Sequence, residues 1–449
     1  MNVLALVDGE HYPSVSRWGL EVAAERGFTV MAVIMVGGAE KLPATGDLQL
    51  GDVAVIHGGG DPASALGDAI RAHRPGGVLD LSDEPVLSYE RRMQLVAVAL
   101  AAGVPYIGAD FRFDPPITGP PLAVPTVGVI GTGKRVGKTA VSAHLARLAT
   151  ANGVRPIVVA MGRGGPPEPA AAAVVDTELS ALLARVERGE HAASDFLEDA
   201  LMAGVPTVGA RRCGGGLAGR PFVTNVEEAA ALAASSSPDL VVLEGSGASV
   251  PTLPWDAGIL VLPANLPTEH LEGYFGPYRV LLSDVAVFMM EVGSFTGPEN
   301  LSTLDPLIRR LHAGIQVAVA ELQPVPMADV KGKDAFFATT ATQWLAERQA
   351  ARLEKTAECR VVATSSHLAD RTSLQHDLAS APEFDVLLTE LKGAAVDVAA
   401  QRALERGAEV VFVDNRPMAV GGDAPLDDLL RGVVSEARHR ADRRLSRAE

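Results

Sequence analysis

The sequence predicts an α/β protein built on parallel sheets, and three observations lead there. Short apolar, β-branched runs alternate with helix-length stretches along nearly the whole chain, the pattern of strand–helix–strand units. The strands therefore pair in parallel, with helices covering both faces of the sheet. One strand run breaks off in a glycine-rich turn that opens directly into a helix. At 449 residues, 47% hydrophobic and 21% charged, the chain has material for roughly two to four domains with substantial cores.

Residues 1 to about 118 form the first unit, an N-terminal doubly wound α/β domain. Its strands read "NVLALVD", "TVMAVIMVG", "VAVIHGG", "GGVLDLSD" and "VPYIGAD", with "SRWGLEVAAERG" and "ERRMQLVAVALAAG" as helices between them. The proline-rich "FDPPITGPPLAVP" closes it as a linker. A second α/β unit, 124 to about 330, starts at "TVGVIG" and continues through "RPIVVAMG", "PTVGA", "DLVVLEGSG", "GILVLPAN" and "DVAVFMME". The C-terminal α/β segment, 331–449, opens on a helical stretch, "KDAFFATTATQWLAERQAARLEK". It then carries the strands "ECRVVATSS", "FDVLLTELKG" and "AEVVFVDNRP". At the level of sequence it is open whether this segment is a separate domain or completes the second sheet. The ending "SEARHRADRRLSRAE" mixes both charge signs and reads as a solvated helix or frayed tail.

A net charge of -16 argues against nucleic-acid and anionic-membrane partners, which want a basic face. An acidic protein still holds an anionic substrate when its few cations converge on one cleft. The two cysteines, Cys213 and Cys359, match no metal or disulfide spacing, which suits a reducing cytoplasm. Asp8 and Glu10 interrupt the N-terminus too early for a secretory signal, and no apolar run is long enough to span a membrane. A soluble, cytoplasmic protein is expected. Arginine greatly outnumbers lysine, and two of the few lysines, Lys134 and Lys138, sit in one loop.

That loop lies in "VGVIGTGKRVGKTAVSAHLARLA", residues 127–149. A phosphate-binding loop needs a preceding strand, glycines that let backbone N–H groups face the phosphates, and a helix N-terminus aimed at them. "VPTVGVI" and "KTAVSAHLARLATANG" supply the strand and helix. Between them run Gly131, Thr132, Gly133, Lys134, Arg135, Val136, Gly137, Lys138 and Thr139. Lys138 would neutralise the β- and γ-phosphates, and the Thr139 hydroxyl would bind Mg²⁺. The usual spelling has glycine where Thr132 stands. A glycine-rich turn that binds nothing is the plainer alternative, and Gly-Lys-Thr at the mouth of a helix weighs against it. The middle unit is therefore read as a P-loop NTPase domain with a parallel sheet.

The threonine spelling resembles the loop of dethiobiotin synthetase and its relatives. "DLVVLEGSG" is similar to the strand in that superfamily whose glutamate binds Mg²⁺, which makes Glu244 the metal-ligand candidate beside Thr139; an ordinary strand-end acid is the alternative. A closer resemblance runs from near residue 3 to near residue 420. "IGTGKRVGKTAVSAHLARL", "VAMGRGGPPEP", "VPTVGARRCGGGLAG", "LLTELKGAAVDVA", "GAEVVFVDNRP" and the N-terminal "LVDGEHYP" resemble the cyclic 2,3-diphosphoglycerate synthetase family. The resemblance implies an ATP-dependent ligase that closes an intramolecular phosphoanhydride in 2,3-diphosphoglycerate, with ATP and Mg²⁺ as cofactors. Relatives with this loop commonly dimerise, so a homodimer is implied.

Joining two phosphates sets anion against anion, so the site must supply positive charge and oriented donors. Arg163 in "MGRGG" and Arg211, Arg212 and Arg220 in "ARRCGGGLAGR" offer guanidinium forks in glycine-rich settings after strand ends, where α/β ligands bind. Solvated loops would carry such arginines too. Lys134 either reaches the γ-phosphate or substrate, or faces solvent. Asp176 and Glu178 offer a further Mg²⁺ or substrate carboxylate, or a helix cap. Cys213 has no histidine at diagnostic spacing and reads as packing. "DGEHYP" either helps form the substrate pocket or is a turn. Lys392 and Arg416 either add charge to the site or pair with Glu390 and Asp414. Two competing functions remain: another ATP-dependent ligase of the dethiobiotin-synthetase type, and a nucleotide-switched P-loop binding protein. Gly133 stands where partitioning ATPases place a signature lysine, and no His- or Cys-rich tract marks a metal chaperone.

Overall fold

The computed structural model describes residues 1–42, 49–290 and 296–447. Glu291, the last residue of the strand expected at "DVAVFMME", and the final two residues of the C-terminal tail lie outside them. The strands fall into a six-stranded and a thirteen-stranded sheet.

The first sheet holds β1 (Asn2–Val7), β2 (Thr29–Met35), β3 (Val55–His57), β4 (Gly77–Asp80), β5 (Tyr106–Ile107) and β6 (Arg112–Phe113). Their order is β3-β2-β1-β4-β5-β6. All neighbours are parallel except β5 and β6, so the sheet is doubly wound with its switch point between β1 and β4. The five strands read from sequence are there. The short β6 adds an antiparallel edge just before the proline-rich linker. A helix absent from the sequence reading, Pro62–His73, starts on Asp61, whose side chain accepts from Ser64 N.

The large sheet begins with β7 (Thr126–Gly131), β8 (Pro156–Gly162), β9 (Ala170–Ala172), β10 (Thr207–Cys213), β11 (Val223–Thr224), β12 (Leu240–Glu244), β13 (Ala257–Pro263), β14 (Val285–Met290) and β15 (Gln316–Pro326). It continues with β16 (Asp334–Ala338), β17 (Arg360–Ser365), β18 (Val386–Thr389) and β19 (Glu409–Gly422). The order runs β11-β10-β8-β12-β7-β13-β14-β15-β19-β18-β16-β17, with β9 also on β10. From β10 to β15 the pairing is parallel, and every residue of β7, β8 and β12 is buried. Such strands read as continuous apolar runs because helices cover both faces.

The C-terminal segment completes this sheet. β19 is the joint: Glu409–Phe412 run parallel to β18, while Val413–Gly422 run antiparallel to β15. The stretch read as one long helix divides. "DAFFA" is strand β16, and the helix spans Gln343–Ala357. Phe336 and Phe337 are each about 1% exposed and enter different hydrophobic clusters. Consecutive side chains of a strand point to opposite faces, so only a central strand buries two adjacent aromatics this way.

The tail departs further from expectation. Leu426–Leu445 is a helix whose Leu426, Leu429, Leu430, Val433, Val434, Ala437 and Ala441 are buried. All but Ala441 join one core with Val141, Leu145 and Ala149 of the helix Lys138–Ala151. Arg440 pairs with Asp284 and Arg444 with Asp256, fastening the polar side. The mixed charges belong to the outer face of an amphipathic helix. The N-terminal unit also shares its core: Ala218, Phe275 and Tyr278 pack with Met93, Val96 and Leu100.

Candidate active site

β7 lies between β12 and β13, with Glu244 of β12 in register with Val129 of β7. The chain leaves β7 at Gly131, turns through Arg135 (φ 63°) and Gly137 (φ 98°), and enters the helix at Lys138. Gly137 occupies left-handed backbone that favours glycine. Lys138 is buried and donates from Nζ across the loop to Gly133 O at 2.8 Å. Burial pulls its ammonium down to about 8; Glu244 and Asp195 oppose this, while Arg212 and Arg163 add to it. The loop, both arginines and both acids therefore share one electrostatic neighbourhood.

Thr139 Oγ1 donates to Glu244 Oε1 at 2.7 Å. Glu244 Oε2 and both carboxylate oxygens of Asp199 are buried with no other donor, so there the two acids have only each other, and a proton held on Asp199 bridges them. Burial raises both carboxyls, and Asp199 goes well above its usual range. Asp199 comes from the helix Asp195–Ala203, and Glu198 of the same helix meets Lys392 at 3.0 Å. These acids were missed in the sequence reading. Their i, i+3, i+4 spacing in "DFLED" was the available signal, because that spacing places them on one helix face.

The arginines reach the site through sheet register. Arg211 of β10 pairs with Gly162 of β8, so Arg212 and Arg163 leave adjacent strands side by side. Arg211 donates to Gly165 O at 3.2 and 3.1 Å. A Cβ on Gly165 would lie 2.0 Å from Ala210 O, so that loop packs directly on the strand. Arg212 donates to Gly214 O at 2.7 Å and Ser246 O at 2.9 Å, and its Nε is buried without a partner. Arg163 and Arg212 both approach Gly247 (φ 60°). Lys134, Arg135 and Arg220 are exposed. Lys138, Arg211 and Arg212 thus spend their hydrogen bonds on backbone carbonyls, while Glu244 and Asp195 offset part of the charge on Lys138 and Asp195 part of that on Arg212.

Other candidates settle into ordinary roles. Asp176 caps a short turn through Ala173 N. Lys392 pairs with Glu198, and Arg416 with Asp414. Asp8 of "DGEHYP" is fully buried and accepts from Glu10 N, His11 N and Asp83 N, fixing the loops at the ends of β1 and β4. Cys213 is exposed.

Three family models cover the chain. Residues 2–114 match the N-terminal domain of cyclic 2,3-diphosphoglycerate synthetase, 126–320 its P-loop domain, and 326–416 its C-terminal domain. The chain belongs to the cyclic 2,3-diphosphoglycerate synthetase family. The protein of that name from Rubrobacter xylanophilus is 43% identical over 96% of this chain and 98% of its own length. The one from Methanothermobacter thermautotrophicus is 40% identical over 97% and 96%. The one from Methanothermus fervidus is 38% identical over 97% of each chain. The strand–loop–helix geometry around Lys138 thus sits in the part that matches the family's P-loop domain. Among the described residues, no helix is long and apolar enough to cross a membrane.

Proposed function

We propose that this protein uses ATP to close an intramolecular phosphoanhydride, converting 2,3-diphosphoglycerate to its cyclic form with release of ADP and phosphate. Membership of the family supports the substrate. The observation that carries the chemistry is the set of cations beside the loop, whose hydrogen bonds end on backbone carbonyls instead of carboxylates. In a chain of net charge -16, such a concentration of cations suits a ligand with several phosphate groups.

The loop from Gly131 to Thr139 receives the nucleotide phosphates, and Lys138 sits on the β- and γ-phosphates. Lys138, Lys134, Arg163, Arg211 and Arg212 are the catalytic groups, offsetting charge as an oxygen of one substrate phosphate attacks the γ-phosphorus and ADP departs. The neighbouring substrate phosphate then attacks the phosphorus just loaded. That bond forms as the bond to the transferred phosphoryl group breaks, and inorganic phosphate leaves. Arginine forks hold the two substrate phosphates close, which replaces their mutual repulsion by fixed attraction.

Mg²⁺ fits the pair Thr139–Glu244, a hydroxyl against a carboxylate whose second oxygen is buried with only the Asp199 carboxyl beside it. Bound there, it would neutralise charge on the β- and γ-phosphates. We also read the protein as a cytoplasmic homodimer. Leu217, Phe222 and Val223 are 74%, 91% and 57% exposed beside the edge strand β11 and offer an apolar face to a second copy. Light scattering would then return twice the 46.7 kDa of one chain.

The deciding experiment follows ATP, Mg²⁺ and 2,3-diphosphoglycerate by ³¹P NMR with the wild-type protein and with Lys138→Ala. Upfield phosphoanhydride signals from a cyclic product are expected, rising in step with ADP and phosphate, and nothing from the variant. ATP left intact by the wild type would sink the substrate assignment.

A further inference from the structure

Arg279 had no signal in the sequence, yet it is 6% exposed and meets no carboxylate among the described residues. Its Nη1 donates to Phe275 O at 3.0 Å and its Nη2 to Ala248 O at 2.6 Å, while Nε is buried without a partner. Burial pulls the guanidinium down to about 10. A buried charge without a counter-ion is costly, and a site that keeps one despite the cost has a use for the charge.

Its surroundings indicate that use. The short helix Gly276–Leu281 faces two ways. Tyr278, with Phe275 just before the helix, packs into the N-terminal core, while Arg279 grips the loop that follows β12. Arg212 holds the same loop at Ser246 O, and a Cβ on Gly247 would meet Arg212 and Arg163 at 3.4 and 3.5 Å, in ordinary contact. Gly219, at φ 94°, lies against Arg279 Nη2 and Ala248 O; a Cβ there would come to 3.1 and 2.8 Å. Three guanidinium groups therefore converge on one five-residue loop, and the third is carried by an element anchored in the N-terminal core.

We propose that Arg279 is a positioning residue for the phosphorylated substrate: its standing charge, applied through the loop Gly245–Ser249, favours a polyanion held by Arg163 and Arg212. This rests on the polyanion site proposed above, but it is read by binding alone, without ring closure. The substrate reading and this one can therefore fail separately.

The test titrates the full-length protein by calorimetry with 2,3-diphosphoglycerate and with pyrophosphate, using MgADP as the reference ligand. Arg279→Gln keeps an N–H for Ala248 O but removes the charge; Arg279→Lys keeps the charge. Arg279→Gln should bind both polyanions about tenfold more weakly with MgADP unchanged, and Arg279→Lys should stay within about threefold of wild type. Unchanged polyanion affinity in Arg279→Gln overturns the proposal. So does an equal loss of MgADP affinity, which would mark a purely structural role. Binding of pyrophosphate but not 2,3-diphosphoglycerate, weakened in Arg279→Gln, would remove the substrate reading and uphold Arg279. If Arg279→Gln does not fold, Arg279→Lys decides alone: retained polyanion affinity supports the charge role, and a tenfold loss overturns it.

Discussion

A carboxylate buried with too few donors costs on the order of 1–3 kcal/mol, and Glu244 is buried with only the Thr139 hydroxyl and the Asp199 carboxyl to satisfy it. Its placement makes sense where a ligand completes the shell, so function and stability should separate at this residue. Glu244→Gln is expected to slow ATP turnover roughly a hundredfold while leaving the nucleotide-free melting temperature unchanged or higher. Loss of both would make Glu244 structural. Glu198 yields a prediction in pH. Lys392 sits among Glu198, Glu390 and Asp195, three acids to one cation, and burial pushes the Glu198 carboxyl up to about 7 from 4.5. The fold thus holds this proton more tightly than the unfolded chain does. The stability it brings is complete below pH ~4.5 and is lost as pH rises through about 7, on the order of 3 kcal/mol at most. Denaturant unfolding at pH 5.5 and 8 should show the wild type losing stability across that window and Glu198→Gln losing much less. Equal slopes would count against the shift.

Elements were legible in proportion to how local their cause is. The strands β1, β2, β7, β8, β12 and β13 announce themselves as apolar runs, and the phosphate loop as a strand, glycines and a lysine in series. β16 did not, because "DAFFATTATQWLAERQ" runs a strand into a helix with no glycine or proline between them, and only its central place in the sheet explains the paired aromatics. The acids of the helix Asp195–Ala203 were visible as a spacing, but their burial was not, since it comes from packing against the phosphate-loop helix, β8 and β10. The last helix is legible as a helix but reads as solvated, because its charges are conspicuous and its apolar stripe is spread over sixteen residues. Each buried leucine or valine on that stripe contributes roughly 1.5–3 kcal/mol, and they back the phosphate-loop helix directly. Leu430→Asp should therefore lower the melting temperature sharply and weaken MgADP binding, although residue 430 lies far from the loop in sequence. A variant that melts early but binds MgADP normally would show the two helices to be uncoupled.

At the scale of the molecule, the sign of the charge reverses between distance and contact. The chain as a whole carries -16, yet Lys138, Arg211, Arg212 and Arg279 end side-chain hydrogen bonds on backbone carbonyls of the loops that follow β7, β8, β10 and β12. A polyanionic substrate approaching from solvent is repelled first and attracted only near the loops. Salt acts on these two regimes in turn. The Debye length shrinks from about 30 Å at 0.01 M to about 10 Å at 0.1 M, so moderate salt hides the distant acids before it touches the arginines at contact range. Further salt screens the arginines and competes for them. The kcat/KM for the phosphorylated substrate should accordingly rise from low to moderate concentrations of an indifferent salt and fall beyond, while kcat changes little, because it reports the complex already formed. A steady fall from the lowest salt would mean that the mouth of the site is already positive and that the acidic surface faces away from the approach. A flat profile would mean that encounter is not limited by charge at all. Pairing the series with Arg279→Gln separates the two regimes, since removing a buried cation should depress the whole curve and leave the position of its rise in place.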